Sequence, residues 1–382
     1  MRLLERPLPT PEARDLLDLT RQIAAERCDT QTVNRFEGEA RFPREVFDVL
    51  GETGLLSLPY PEELGGGGQP FEVYLQVIEE LAGAWLAVGL GVSVHVLSCF
   101  PMVNYGTPEQ QAEWLPRMLG GRTVGAYCLS EPDSGSDAAA LRTTAASTET
   151  GFVVNGAKGW VTHGGVADYY NLMVRTGGPG ARGISCLLAP AGTDGLQAAR
   201  PEQKMGMAAS PTATINLDEV ELPASALLGE PGEGFRIAMA ALDSGRLGIA
   251  ACAVGVAQAA LDVAADYAST RQQFGRSISE FQGIGFLLAD MGASIEAARS
   301  LLLDAARAKD AGRDFGAAAA AAKLTATQTA MSVTTEAVQI LGGVGYTKEF
   351  PVERYMREAK VLQIVEGTTQ VQRLVLARAL TS

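Results

Sequence analysis

The chain has 382 residues, 47 % of them hydrophobic and 20 % charged, which is enough for a sizeable buried core spread over two or three structural units. A formal charge of −13 opposes binding to DNA or another polyanion, so we expect no nucleic-acid partner. His95 and His163 are the only histidines, which favours neither a histidine-based metal site nor a Ser-His triad, and we expect no metal ion.

The cysteines and the start of the chain both indicate a cytoplasmic protein. Five cysteines stand far apart and form no CxxC pair, as is typical of reduced thiols in the core of a cytosolic protein. The first nine residues carry Glu5 and no apolar signal core, so we expect neither secretion nor import into an organelle. The most apolar stretch, Leu86–Phe100, contains His95 and several small residues, so we interpret it as a buried helix and expect no membrane span.

Residues 1–118 have the pattern of a helical domain. Apolar residues recur at helical spacing, for example at Val73, Val77 and Leu81, and the glycine run at 65–68 predicts a loop.

Residues 119–230 have the pattern of an antiparallel β domain. Short β-branched and aromatic segments are separated by Gly, Pro, Asn and Asp, and Asn155-Gly156 predicts a two-residue hairpin turn.

Residues 231–382 return to a helical pattern. Three alanine- and leucine-rich segments, Ile237–Ser269, Phe286–Ala311 and Phe315–Leu341, are each long enough to span a helical bundle. The sequence therefore predicts an α+β multidomain protein with three parts: helical, β and helical bundle.

Two motifs in the β domain are compatible with a ligand, although each has a simpler interpretation. The loop Leu129–Asp137 is rich in small hydroxylated residues and can offer backbone N–H groups to a phosphate or a polar ring, but such loops are also common strand connectors. Trp160 and Thr162 fall on one face of a predicted strand, where they could cover a flat heteroaromatic ligand or simply pack on a helix.

Three motifs in the C-terminal part are similarly open. Gly342-Gly343 follows a helix rather than a strand, which disfavours a Rossmann nucleotide site and fits a helix cap. Arg271 would either pair with a phosphate or complement a helix dipole. Glu366, between Val365 and Gly367, is either a partly dry general base or an exposed acid near a helix start.

Taken together, the order and spacing of these motifs resemble the acyl-CoA dehydrogenase flavoprotein family over essentially the full length. Two stretches carry the resemblance, Leu129–Asp137 and Gln339–Arg373, and the segment at 240–250 is most similar to the short- and medium-chain branch. The resemblance implies a helical N-terminal domain, a central antiparallel β domain and a C-terminal four-helix bundle. It also implies a homotetramer built as a dimer of dimers.

The resemblance further implies FAD as the cofactor. Residues of the β domain would lie against the flavin ring, whereas residues after 270 would complete the site, many of them from a neighbouring subunit. The implied FAD-binding positions are Tyr127, Leu129, Ser130, Ser136, Trp160, Thr162, Arg271, Gln273, Phe274, Phe281, Gln282, Gln339, Gly342, Gly343, Thr368 and Gln370.

The same resemblance implies an acyl-CoA substrate and gives Glu366 the role of catalytic base. Glu366 would take the α-proton of the thioester while the β-hydrogen leaves as hydride to the flavin, and an electron-transfer flavoprotein would then accept the electrons. The implied substrate-lining positions are Ser136, Asp243, Arg246 and Gly367.

Two positions depart from close relatives. Val365 stands where a tyrosine is usual, which reshapes the pocket near the thioester. Gly245 occupies the position at which some branches carry the base, which favours Glu366 in that role.

Other functions stay open at this point. The carrier of the acyl group is either CoA or an acyl-carrier protein, and an oxidase-type relative in secondary metabolism is an alternative. A non-catalytic flavin scaffold associated with DNA is a third, which the acidic charge and the presence of Glu366 disfavour. The sequence fixes neither the length nor the branching of the acyl chain.

Overall fold

A computed structural model describes residues 3–6 and 8–381. Met1, Arg2, Pro7 and Ser382 lie outside the described residues, so the expected lack of a leader concerns a segment that is described only in part. The helices are α1 (Pro11–Arg27), α2 (Thr30–Glu39), α3 (Arg44–Glu52), α4 (Phe71–Ala84), α5 (Leu86–Tyr105), α6 (Pro108–Met118), α7 (Gly234–Thr270), α8 (Gln282–Asp310), α9 (Gly316–Leu341), α10 (Val352–Leu362) and α11 (Thr369–Thr381). The strands are β1 (Gly125–Cys128), β2 (Thr144–Ser147), β3 (Gly151–Thr162), β4 (Tyr169–Arg175), β5 (Ile184–Pro190), β6 (Leu196–Ala198), β7 (Thr212–Pro223), β8 (Leu227–Leu228), β9 (Gln272–Gln273) and β10 (Arg276–Ser277).

The N-terminal part is helical, as predicted. Helix α6 begins at a capping box in which Thr107 and Gln110 satisfy each other's backbone N–H groups. Helices α5 and α7 are long and apolar enough to cross a membrane, but 89 % and 83 % of their apolar windows are buried inside the described structure. Both are therefore core helices, in agreement with the interpretation of Leu86–Phe100.

The central part is a sheet in which the strands follow the order β6-β7-β3-β2-β4-β5-β8, with β1 added beside β4. Most pairs are antiparallel, as predicted, whereas β1 and β2 run parallel to β4. The chain changes from helix to strand between Met118 and Gly125, and it returns to helix between Leu228 and Gly234. The domain limits at 118 and 230 stay predictions.

The hairpin turn predicted at Asn155-Gly156 is wrong. Both residues lie inside the continuous strand β3, at a shift of register against β7. Gly156 has φ +147°, and a Cβ there would come within 2.6 Å of Thr143 Oγ1, while Asn155 Oδ1 accepts a hydrogen bond from the backbone of Glu219. The glycine therefore serves a β-bulge and a close approach, which use the same residue types as a turn.

The C-terminal part is the predicted bundle. The three long segments form α7, α8 and α9, and α11 packs against α9. Helices α4 and α5 pack on α7, so the two helical parts share one apolar core around α7. All five cysteines are buried and unpaired, as expected for reduced thiols.

Candidate active site

Glu366 lies in the turn that joins α10 to α11, and its backbone is left-handed at φ +51°. Gly367 follows with φ +93°. The side chain points into the protein, where both carboxylate oxygens are buried without a hydrogen-bond partner among the described residues. An unpaired buried carboxylate is costly, which makes Glu366 a strong candidate for a functional group rather than a structural one.

Gly245 of α7 provides the space that the carboxylate occupies. A Cβ built at Gly245 would lie 2.2 Å from Glu366 Oε2. No residue with a side chain could stand there without displacing the acid. Gly245, the position at which some branches of the family carry the base, thus leaves the space in which the Glu366 carboxylate lies.

Two cations face Glu366. Lys323 of α9 is 1 % exposed and donates hydrogen bonds to the backbone carbonyls of Val365 and Gly367. Arg246 of α7 pairs with Asp243. Burial raises the pKa of Glu366, and the positive charges of Lys323 and Arg246 only partly offset this.

A cavity of about 170 Å³ adjoins the acid, because Gly245 both lines this cavity and contacts Glu366. Its polar groups include Tyr74, which hydrogen-bonds Ser93, and the buried hydroxyl of Ser244, which has no partner among the described residues. The lining residues are Pro59, Tyr60, Pro61, Phe71, Tyr74, Ser93, Val96, Leu97, Phe100, Val103, Asn104, Ala241, Ser244, Gly245 and Lys309. A largely apolar cavity beside a free carboxylate suits a hydrocarbon chain with an acidic C–H.

A hydrogen bond and an ion pair hold the loop Leu129–Asp137 against β3. They bring the two predicted ligand motifs of the β domain, this loop and the Trp160–Thr162 segment, next to each other. Gly159 N–H donates to the carbonyl of Ser130 at 2.9 Å, and Lys158 Nζ pairs with Glu131 Oε1 at 2.8 Å. Lys158 is fully buried and Glu131 nearly so. Leu129 and Ser130 are therefore held next to the strand segment that carries Trp160 and Thr162.

These β-domain residues fit a flat polar ring. Trp160 is 66 % exposed at φ +59°, although indole side chains are usually well buried. The buried hydroxyl of Tyr127 has no hydrogen-bond partner among the described residues and lies close enough to Glu366 to interact electrostatically. An uncovered indole and an orphaned hydroxyl beside the acid are the features that a bound flavin ring would satisfy. Ser136 is exposed in the same loop.

The remaining predicted FAD residues stay on the surface of the single chain. Arg271, Gln273 and Phe274 belong to the strand pair β9–β10 and its approach, where Phe274 is 94 % exposed. Phe281 is partly buried and Gln282 begins α8. The others are Gln339, Gly342 and Gly343 at the end of α9, and Thr368 and Gln370 at the start of α11. Apart from Thr368 and Gln370, which follow Glu366 in the chain, the structure does not bring these residues to the acid. Their exposure fits a role toward a second subunit.

The sequence interpretation missed Lys323 and, apart from Gly245, the residues that line the cavity. A signal for Lys323 was present, because it is the first charged residue in an otherwise alanine-rich helix that is buried on one face. Tyr74, Ser93 and Lys309 carry no comparable local signal, since they meet only through the packing of α4, α5 and α8.

The buried carboxylate, the adjoining cavity and the uncovered indole together suit a flavoenzyme that acts on an acyl substrate. Three family models match the chain: the N-terminal domain of acyl-CoA dehydrogenase over residues 10–122, the middle domain over 126–220 and the C-terminal domain over 232–381. The short-chain specific acyl-CoA dehydrogenase of Clostridium acetobutylicum is 40 % identical over 94 % of this chain and 96 % of its own.

Solved structures agree with these matches. Butyryl-CoA dehydrogenase from Megasphaera elsdenii superposes with a TM-score of 0.96 at 39 % identity, covering 99 % of this chain and 100 % of its own. A chain solved in work on the electron transferring flavoprotein of Acidaminococcus fermentans has a TM-score of 0.96 at 41 % identity, covering 99 % of both chains. The chain belongs to the acyl-CoA dehydrogenase family. It is an FAD-dependent oxidoreductase that acts on acyl-CoA by α,β-dehydrogenation.

Proposed function

We propose that Glu366 is the base that takes the α-proton of the acyl-CoA. One observation carries this proposal: neither oxygen of the buried carboxylate has a hydrogen-bond partner among the described residues, and Oε2 lies against Gly245, which lines the cavity. Because burial raises the pKa of Glu366, the carboxylate is a stronger base than an exposed glutamate once it is ionised.

The backbone N–H of Glu366 supports the same assignment. Among the described residues the N–H groups of Glu366, Gly367 and Thr368 take part in no hydrogen bond, whereas those of Val365 and Thr369, which flank this stretch, do. A free N–H next to the base can donate to the thioester oxygen and stabilise the negative charge that develops there when the α-proton leaves. Gly367, with its left-handed backbone, keeps this peptide group open.

FAD fits the pair of segments that the Lys158–Glu131 ion pair fastens together. Tyr127, Leu129 and Ser130 would hold one edge of the ring, with Trp160 over a face and Thr162 beside it. The bound flavin supplies the acceptor for the β-hydride. Asp243 and Arg246, which pair on α7 beside Glu366, would line the entry of the CoA arm together with Ser136.

The substrate is proposed to be a short-chain acyl-CoA. The cavity is about 170 Å³ and is walled by the buried residues Tyr74, Ser93 and Leu97. A straight chain of about four to six carbons fits in such a space, since a cavity of about 150 Å³ holds benzene. The similarity to a short-chain specific enzyme and to a butyryl-CoA dehydrogenase supports this choice.

We also propose an electron-transfer flavoprotein as the electron acceptor, a homotetramer as the assembly and the cytoplasm as the location. The structure solved in work on such a flavoprotein supports the acceptor. Exposed aromatic side chains at Phe274 and Tyr346 support burial by further subunits. The five unpaired cysteines support a reducing compartment.

The test is anaerobic bleaching of the flavin by butyryl-CoA in Glu366→Gln. The isosteric amide leaves FAD bound but cannot accept the proton, so the bleaching rate should fall by about 10²- to 10⁴-fold. Bleaching at the wild-type rate would remove Glu366 from the role of base. A panel of C4, C8, branched and carrier-protein thioesters on the wild-type protein then tests the substrate class.

A further inference from the structure

We propose that Lys323 is a positioning residue for the base: its ammonium group holds the carbonyls on both sides of Glu366 and so fixes the carboxylate against Gly245. This inference rests on the proposed role of Glu366. Lys323 is not among the residues that the sequence assigned to the site.

The turn that carries the base has an unfavourable backbone, and Lys323 contacts it on both sides of Glu366. Glu366 adopts a left-handed backbone at φ +51°, a conformation that is unfavourable for a residue with a side chain. The turn has three hydrogen bonds of its own: Val365 N–H donates to the carbonyl of Val361, Thr369 N–H donates to the carbonyl of Gln363, and Gln372 Nε2 donates to the carbonyl of Gly367. Lys323 reaches from α9 and donates to the carbonyls of Val365 and Gly367, which bracket the base.

Lys323 has no other partner that explains its burial. It is 1 % exposed, and it forms no ion pair with any described residue. A lysine is almost never fully buried unless it is paired. The two carbonyls and the nearby charge of Glu366 are therefore what keeps this ammonium group in the interior.

The groups that face Glu366 come from four elements. They are Lys323 on α9, Arg246 and Cys252 on α7, Tyr74 on α4 and Tyr127 on β1. Burial raises the pKa values of Cys252, Tyr74 and Tyr127, so these three are neutral.

Two cations face Glu366. Arg246 already forms an ion pair with Asp243, so of the two only Lys323 has no ion-pair partner among the described residues. Its charge favours the ionised form of Glu366 and opposes the effect of burial. Removing that charge should raise the pKa of Glu366 further.

The experiment compares Lys323→Met, Lys323→Gln and the control Thr334→Val in the FAD-loaded enzyme. Methionine removes both the charge and the donors, whereas glutamine removes the charge but keeps an amide group with two N–H donors. Thr334 is fully buried on the same helix, and its hydroxyl donates to the carbonyls of Ala330 and Met331 of that helix. It therefore reports on general damage to α9.

In Lys323→Met we expect kcat to fall by about 10²-fold because the base is misplaced. The acidic limb of the kcat profile should move up by about 1 to 3 pH units. Amide exchange at residues 363–369 should also become faster. Lys323→Gln should show the same movement of the limb with a smaller fall in kcat on the alkaline plateau, and Thr334→Val should show neither change.

An acidic limb and an exchange pattern that stay at wild-type values in both variants would overturn the inference. If the methionine variant does not fold, the glutamine variant, which is close in size, decides by the same readouts. The result for Lys323 can be distinguished from the result for the proposed role of Glu366. Loss of bleaching in Glu366→Gln together with an unmoved limb in the Lys323 variants would contradict only the role of Lys323.

Discussion

Gly245→Ala tests whether the space beside the base is required for the reaction. The added methyl carbon would lie 2.2 Å from Glu366 Oε2 and 3.3 Å from Leu97 Cδ1, so the carboxylate or α7 must move. Overpacking of this kind costs about 1–3 kcal/mol of stability. A displacement of about 1 Å at a reacting group lowers the rate by about 10²-fold. We therefore expect a large fall in kcat with only a moderate loss of stability.

The assay is the rate of anaerobic flavin bleaching by butyryl-CoA, measured together with the melting temperature. Gly255→Ala is the matched control, because its Cβ would also overlap at 2.2 Å but with the backbone carbonyl of Glu79, away from the acid. The control should lose stability and keep its bleaching rate per folded enzyme. A Gly245→Ala enzyme that bleaches at the wild-type rate would refute the placement of the carboxylate against α7.

Three further predictions concern pH, the flavin loop and the surface. Burial raises the pKa of Glu366, so the base is protonated at low pH. The bleaching rate should therefore rise with pH, and the midpoint of this rise should lie above the usual pKa range of a glutamate. A midpoint near pH 4 would contradict this. Lys158→Met should destabilise the chain by about 3–5 kcal/mol in urea unfolding and weaken FAD retention, because it leaves Glu131 buried without its cation; an unchanged midpoint would contradict it. Phe274→Ser should leave the stability of the chain intact but reduce FAD content and assembly size, and unchanged sedimentation and FAD content would argue against an interface at this exposed side chain.

Much of the fold follows from local patterns. The three long helices α7, α8 and α9 were predictable from runs of alanine and leucine, because helical periodicity over more than 25 residues leaves little ambiguity. Asn155-Gly156 was misread because a bulge inside a long strand uses the same residues as a hairpin turn, and only the pairing of β3 with β7 separates them.

The site was only partly predictable. Glu366 stood out beside Gly367 once the family resemblance was clear, but its unpaired state depends on Gly245, more than a hundred residues earlier in the chain. Lys323 lies on a third element, and its approach to the turn is set by how α9 packs beneath α10 and α11. Contacts of this kind between distant segments have no local pattern from which they could be inferred.

The most direct test of the central claim is exchange of the α-proton by itself. A butyryl-CoA analogue with sulfur in place of the β-carbon keeps its α-hydrogens but has no β-hydrogen to transfer, so only the step assigned to Glu366 can occur. In D₂O, the wild-type holoenzyme should exchange these α-hydrogens for deuterium, as followed by NMR, and Glu366→Gln with FAD and analogue bound should exchange them about 10²- to 10⁴-fold more slowly. Exchange at the wild-type rate in Glu366→Gln would show that another group takes the proton.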